Sequence, residues 1–209
     1  MLLFFIYAFI NKFLGNATDK QKSWILTLIV SFILSFEGYF FVIPALLDNV
    51  TNITKFAFST SPRSYYYSIF FIDYCISELF LAFVGIYPLK FLEGWCHHIF
   101  YIGLLIILNY NKYSNSFWMF AWCEIPTFLL AMNGIFNIKT PFFPFIFFVF
   151  RVFLFGIVLG LFFSQLSYNL YIFTLPPASL IFGLHMAWAI QLCKPQNRQL
   201  KNLKHALDP

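Results

Sequence analysis

The chain is a succession of apolar runs, most of them near the length that a helix needs to cross a bilayer. They cover 2–14, 24–47, 64–87, 92–109, 117–132, 142–166 and 170–193, separated by short polar connectors. A helix needs about 20 apolar residues to span a hydrocarbon core of about 30 Å. Because the first run is short for a span, six and seven spans both stay open. The pattern predicts an all-α, polytopic membrane protein with a six- or seven-helix transmembrane bundle.

Composition excludes a soluble domain and argues against nucleic acid as a partner. Of 209 residues, 61% are hydrophobic and 10% charged, whereas soluble chains carry about 25% charged residues. The net charge is +5. In a membrane protein, a basic excess of this kind usually marks cytoplasmic flanks.

The basic residues predict the orientation, because loops rich in Lys and Arg stay in the cytoplasm. One side collects Lys12, Lys20, Lys22, Lys90, Lys139, Lys194, Arg198, Lys201 and Lys204, and the other holds Lys55, Arg63 and Lys112. The C-terminus is therefore predicted to be cytoplasmic. Glycosylation sequons at Asn49 and Asn52 then fall on the lumenal side, and a third, at Asn16, falls on the cytoplasmic side.

The predicted organisation is a single transmembrane domain with short flanks. Residues 1–21 form an N-terminal hydrophobic segment that could be a first span, 22–194 form the domain, and 195–209 form a basic cytoplasmic tail. The four cysteines contain no Cys-x-x-Cys pair, so neither a disulfide framework nor a zinc site is indicated. They are predicted to be small buried hydrophobes, and a homo-oligomer is left open.

Ionisable residues inside the apolar runs are the candidate functional residues. A charge at the centre of a membrane helix costs about 2.5–3.5 kcal/mol, so such residues should meet one another or water in a shared interior. Depth along the helices predicts two polar tiers. The midplane tier would hold Arg151 with Asp73 or Glu124, and the cytoplasmic tier would hold the remaining candidates, namely Glu78, His97, His98 and His185. Glu37 either lines the same cavity or accepts a hydrogen bond from Tyr39 or a neighbouring helix.

The adjacent histidines His97 and His98 are the most informative pair. Neighbouring helical positions point about 100° apart, so both cannot serve one metal ion easily. We expect no metal site, and four histidines are too few for the boxes of a di-iron desaturase. A structural hydrogen bond is the alternative role for either ring.

Four segments in this order resemble the TLC-domain family of membrane proteins. They are Tyr65-Tyr66-Tyr67-Ser68-Ile69-Phe70-Phe71-Ile72-Asp73, Leu92-Glu93-Gly94-Trp95-Cys96-His97-His98-Ile99, Glu124-Ile125-Pro126-Thr127-Phe128 and Phe150-Arg151-Val152-Phe153. The resemblance implies a barrel-like bundle in the endoplasmic reticulum with a lipid tunnel open toward the cytoplasm. The family's ceramide synthases transfer a fatty acyl group from acyl-CoA to a sphingoid amine with paired histidines, which His97 and His98 would match.

This chain departs from the synthase pattern at one element. Synthases carry His-Asp-x-x-Asp after the histidine pair, where this chain reads Ala121-Trp122-Cys123-Glu124. The resemblance therefore implies the non-synthase branch, whose members are linked to lipid homeostasis and membrane composition.

Two functional hypotheses follow. The first is a lipid acyltransferase that uses acyl-CoA as substrate and needs no cofactor. His97 or His98 would be nucleophile or base, the acids Asp73, Glu78 and Glu124 would be catalytic partners, and substrate would be bound by Arg151 and His185. The second is a non-enzymatic protein that binds, senses or traffics membrane lipids through the same cavity.

Overall fold

A computed structural model describes residues 2–13, 18–137, 140–167 and 174–192, and these residues form helices and connectors without a β-strand. Seven apolar helices organise them. Their bounds are α1, Leu2–Phe13; α2, Ile25–Asp48; α3, Pro62–Phe83; α4, Phe91–Cys96 continuing as His97–Tyr110; α5, Ala121–Glu124 continuing as Ile125–Phe136; α6, Phe143–Ser164; and α7, Thr174–Leu192. Short helices occupy the connectors at Asp19–Lys22, Val50–Asn52, Ile53–Ala57 and Asn115–Trp118.

Four of these helices, α2, α3, α6 and α7, are long and apolar enough to cross a membrane by length and composition. The other three are apolar but shorter. The all-helical, multi-pass prediction is thereby confirmed in its coarse form. The bundle of six or seven spans and its TLC-type arrangement stay predictions.

Three π-helical segments interrupt the apolar helices of the described residues. They are Gly38–Val42 in α2, Phe91–Cys96 at the start of α4 and Val149–Leu154 in α6. Each lies beside or around an ionisable side chain, namely Glu37, His97 and Arg151. Such segments occur frequently at functional sites.

By compactness the chain divides into two units, Met1–Thr140 and Pro141–Pro209, which are described separately. The predicted division into 1–21, 22–194 and 195–209 stays a prediction. The predicted tail at 195–209 and the sequon asparagine Asn16 lie outside the described residues.

In the first unit, α2 packs between α3 and α5. Thr27 Oγ1 of α2 lies 3.1 Å from the Tyr74 hydroxyl of α3. At the start of α5, the backbone comes so close to Gly38 that an added Cβ there would lie 2.4 Å from the Trp122 Cα atom. Glycine at position 38 is therefore a packing requirement.

A polar network joins the loop before α3 to the short helix Asn115–Trp118. Ser114 Oγ lies 2.8 Å from the hydroxyl oxygens of both Thr60 and Ser64. Asn115 Nδ2 donates to Ser59 Oγ at 2.8 Å. These hydroxyls and amides satisfy one another, so they stabilise the end of the unit where α3 begins.

Helix α1 lies along the second half of α3 and runs in the same direction. Its Leu3 amide donates to Asp73, its Phe4 ring meets Phe80, and its Tyr7 ring meets the ring of Tyr87 beyond the end of α3. With 12 residues, α1 is about 18 Å long, little more than half of a hydrocarbon core. The apolar run is short for a span in the sequence as well, and six and seven spans both stay open.

Candidate functional site

The two histidines open the α-helical part of α4 and face different surroundings. His98 is buried, with its ring centroid 5.4 Å from that of Tyr74 on α3. His97 is half-buried and packs against Tyr101 one turn further along its own helix, at 4.7 Å. The ring centroids of the pair lie 5.6 Å apart. The predicted divergence of neighbouring helical positions accounts for this separation.

Glu78 on α3 binds a tyrosine that folds back from the next connector. Gly85 takes φ +77°, a left-handed conformation that favours glycine. The turn that follows returns Tyr87 to the helix, where its hydroxyl donates to Glu78 Oε2 at 2.7 Å. Burial and the neighbouring Glu78 carboxyl raise the pKa of the Tyr87 phenol, so Tyr87 stays a hydrogen-bond donor at neutral pH.

Tyr7 of α1 completes this group, which we call the tyrosine–glutamate cluster: Tyr7, Glu78 and Tyr87. The ring centroids of Tyr7 and Tyr87 lie 6.1 Å apart in an edge-on arrangement. All three side chains are buried, with exposures of 3%, 2% and 1% in chain order. The cluster lies toward the end of α3 that the basic residues assign to the cytoplasm.

Asp73 lies at the middle of α3, as the sequence predicts. The Leu3 amide of α1 donates to Asp73 Oδ2 at 3.2 Å. The first backbone N–H groups of a helix have no partner within it, and a carboxylate there also interacts favourably with the helix dipole. Asp73 therefore stabilises the start of α1.

In the predicted cytoplasmic tier, Glu78 meets the histidines. The structure pairs Glu78 with a different residue. Within the described part of the chain, Glu78 forms no ion pair with His97 or His98, because Tyr87 occupies its Oε2 atom and the His98 ring packs on Tyr74. The returning connector, which brings Tyr87 to α3, is the physical reason.

Glu124 lies in the first turn of its helix, and its midplane depth stays a prediction. It ends the 3₁₀ segment Ala121–Glu124, which opens α5 beside Gly38. From this position its carboxyl still acts electrostatically on Tyr74 and Cys75 near the middle of α3. The helix begins later than the apolar run suggests, which shifts the acid toward the helix end.

In the second unit, Arg151 and His185 come together. Both are buried, and Arg151 Nη1 lies 3.4 Å from His185 Nε2. A guanidinium cannot accept a hydrogen bond, so Arg151 donates and Nε2 accepts. The guanidinium also lies 5.7 Å from the ring centroid of Trp188, within the range of cation–π attraction. The sequence predicts different tiers for Arg151 and His185, whereas the antiparallel pairing of α6 and α7 puts them at one depth.

Glu37 forms an ion pair in which only the carboxylate is buried. Glu37 Oε1 accepts from Trp118 Nε1 at 3.1 Å and lies 3.3 Å from Nε of Arg63. The expected partner on a neighbouring element is confirmed, whereas Tyr39 is 61% exposed. Arg63 follows Pro62 at the start of α3. This sequence pattern indicates a helix start, but it does not indicate that Arg63 pairs with Glu37.

The cysteines follow the prediction at two described positions and depart from it at a third. Cys75 and Cys123 are buried, whereas Cys96 is exposed. Cys96 ends the π-helical segment of α4, and there the register turns its thiol outward. The prediction that it is a buried hydrophobe was wrong.

Several buried polar atoms of α1, α3 and α4 have no hydrogen-bond partner among the described residues. They are Tyr7 Oη, Asn11 Oδ1, Ser77 Oγ, Glu78 Oε1 and His98 Nδ1. Others include Ser35 Oγ on α2 and both side-chain amide atoms of Asn109, near the Tyr110 end of α4. More than nine-tenths of buried polar groups in proteins are hydrogen-bonded. Tyr7 Oη and Glu78 Oε1 belong to the tyrosine–glutamate cluster, and there a polar group from outside the chain would find open partners.

Comparisons with protein-family models, curated protein sequences and solved structures give no match to this chain.

Proposed function

We propose that this protein is a multi-pass membrane protein of lipid metabolism or membrane lipid homeostasis. It would hold the polar end of a lipid between α1, α3 and α4. The observation that carries this proposal is that Tyr7 Oη and Glu78 Oε1, buried in one cluster between apolar helices, have no hydrogen-bond partner among the described residues. Leaving such an atom unsatisfied costs about 1–3 kcal/mol, and a bound headgroup would remove that cost.

Binding without catalysis is the function that this geometry supports best. A histidine base commonly has a second group that orients its ring. The sequence predicts Glu78 as the acid that orients His97 or His98. In the structure, Glu78 is hydrogen-bonded to Tyr87 instead. His98 packs edge-on against an aromatic ring, as a structural residue does.

Acyl transfer from acyl-CoA is the second candidate, and one observation favours it. The π-helical segment Phe91–Cys96 leads directly into the histidine pair, and Nδ1 of His98 has no partner among the described residues. In that reaction an imidazole nitrogen would attack the thioester carbon and the CoA thiolate would leave. The acyl group would then pass to a hydroxyl or amine of the acceptor lipid. The TLC resemblance and a location in the endoplasmic reticulum belong to the same proposal.

The two candidates can be separated with the full chain in lipid nanodiscs. Native mass spectrometry reports retained lipid, and incubation with radiolabelled acyl-CoA reports turnover. We compare Glu78→Leu and His98→Ala with Ile76→Ala, a control on α3 whose side chain is 44% exposed. Thermal unfolding of each variant shows whether it is folded.

If the protein only binds lipid, the amount of retained lipid should fall in Glu78→Leu and stay at the wild-type level in Ile76→Ala. No variant should then turn over acyl-CoA. Acyl-CoA turnover by the wild-type protein that is lost in His98→Ala would favour acyl transfer over binding as the function. Wild-type protein that retains no lipid and turns over no acyl-CoA would contradict both candidates.

A further inference from the structure

We infer that the tyrosine–glutamate cluster binds the hydroxyl group of an uncharged, single-hydroxyl lipid. This inference rests on the proposed lipid-binding function and names the class of lipid. It is carried by the donors and acceptors that the cluster leaves open and by the charges that surround them.

The open atoms are a carboxyl oxygen and a phenol oxygen. Glu78 Oε1 has no partner among the described residues, because Tyr87 binds only Oε2, and a hydroxyl can pair with this oxygen whether the carboxyl is ionised or protonated. The Tyr7 hydroxyl needs an acceptor for its proton. A lipid hydroxyl meets both needs at once, because it can donate to Glu78 and accept from Tyr7.

Charged headgroups fit these atoms less well. Phosphate and carboxylate groups are bound by Arg or Lys, and the described residues give Glu78 no ion-pair partner. An ammonium group has three donors and no acceptor, so it would leave the proton of Tyr7 without a partner. It would also have to be transferred from water to a cluster in which every side chain is at most 3% exposed, at a large desolvation cost.

The position of the cluster suits a lipid that lies along the helices. Glu78 and Tyr7 lie toward the Phe83 end of α3, near the predicted cytoplasmic surface of the membrane. Phe4 and Phe80 pack against each other at this end of the helix pair, so apolar surface continues from the cluster along α1 and α3. A hydroxyl at the cluster would let its hydrocarbon follow that surface toward the membrane interior.

The test uses the full chain in nanodiscs and four photoactivatable probes with one common alkyl chain. The probes end in a hydroxyl, an amine, a carboxylate or a methyl group. Cross-linked peptides of α1, α3 and α4 are quantified by mass spectrometry. The hydroxyl probe is expected to label wild-type protein most strongly.

Three variants examine the hydrogen bonds. Glu78→Gln keeps an acceptor oxygen, so hydroxyl labelling should stay within about twofold, whereas Glu78→Leu should lower it about tenfold. Tyr7→Phe should lower it about threefold to tenfold, the range expected for one lost hydrogen bond. The matched control is Tyr66→Phe, at a tyrosine that is 70% exposed, and thermal unfolding confirms that each variant is folded.

The outcomes separate this inference from the proposed function. Equal labelling by all four probes, or an amine preference that Glu78→Gln removes, would overturn the hydroxyl inference and leave lipid binding standing. No labelling of α1, α3 or α4 by any probe, together with no retained lipid, would overturn the proposed function itself.

Discussion

At the scale of the residue, the buried acids of the first unit are stabilised by donors from distant parts of the chain. Glu37 takes an indole N–H and a guanidinium, Asp73 a backbone amide and Glu78 a phenol. Hydrogen bonds of this kind allow carboxyl groups to stay within apolar helices. Each bond also joins two helices or a helix and a connector.

Replacing Glu37 by Ala should destabilise the protein by about 1–3 kcal/mol, because the indole N–H of Trp118 would be left buried without its acceptor. Arg63→Ala should cost less than about 1 kcal/mol, since the Arg63 side chain is 47% exposed and water screens its share of the pair. Thermal unfolding in detergent, followed by tryptophan fluorescence, measures both. Equal effects of the two substitutions would contradict this assignment.

The phenol on Glu78 provides a second comparison. Tyr87→Phe removes the donor to Oε2 and leaves a buried carboxyl with both oxygens unpartnered, so we expect a loss of about 1–3 kcal/mol. Tyr66→Phe changes an exposed hydroxyl and should leave the unfolding temperature within experimental error. A Tyr87→Phe protein as stable as wild type would show that another group satisfies Glu78.

Which acids are buried could be predicted from the sequence, but their partners could not. Glu37 and Glu78 stand within apolar runs, and such runs have to bury their charges. The partners depend on the register between elements far apart in the chain: Trp118 is 81 residues from Glu37, and Tyr87 reaches Glu78 only through the turn at Gly85. Arg63 and Trp118 carry no sequence signal of their own for this site.

At the scale of the element, helix positions could be predicted more closely than helix ends and interruptions. The long apolar runs correspond to α2, α3, α6 and α7, because length and hydropathy decide them. The π-helical segments and the late start of α5 depend on packing between helices. The π-helical segment of α4 sets the register that leaves Cys96 exposed, where the prediction of a buried thiol was wrong.

Gly38→Ala should destabilise the junction of α2 and α5 by about 1–3 kcal/mol, the range for overpacking a tight contact. The new Cβ would lie 2.4 Å from backbone atoms of Trp122, which cannot move as a side chain can. Gly103→Ala on α4 is the control, because no atom lies within 4 Å of the added carbon. The unfolding temperatures of the two variants are compared, and equal values would contradict this prediction.

Asp73→Ala should loosen α1 selectively. Without Oδ2 the Leu3 amide loses its acceptor, and a lost helix cap costs about 0.5–2 kcal/mol. Hydrogen exchange should rise in peptides of α1 and stay unchanged in α5. Asp48→Ala, at the exposed end of α2, is the matched control. If the Asp48→Ala variant also showed faster hydrogen exchange in α1, the assignment would be refuted.

At the scale of the whole molecule, sidedness is the property with the clearest measurement. The basic residues put the connector after α2 in the lumen. Asn52 is exposed, whereas the side-chain amide of Asn49 donates to the carbonyl oxygen of Ala45 at 2.8 Å. Of the two sequons, Asn52 therefore offers the more accessible amide.

Expression in a cell that glycosylates membrane proteins should give a glycosidase-sensitive gel shift. Asn52→Gln should remove most of it, Asn49→Gln should remove little, and Asn16→Gln should have no effect. A shift that depends on Asn16 would reverse the predicted orientation of the chain.

The short α1 beside α3 has a consequence for biogenesis. In hydrocarbon no water is present to satisfy an open amide, and each one costs several kcal/mol. The acceptor for the Leu3 amide is supplied by Asp73, 70 positions later. Helix α1 can therefore complete the hydrogen bonding of its buried end only after α3 has packed beside it.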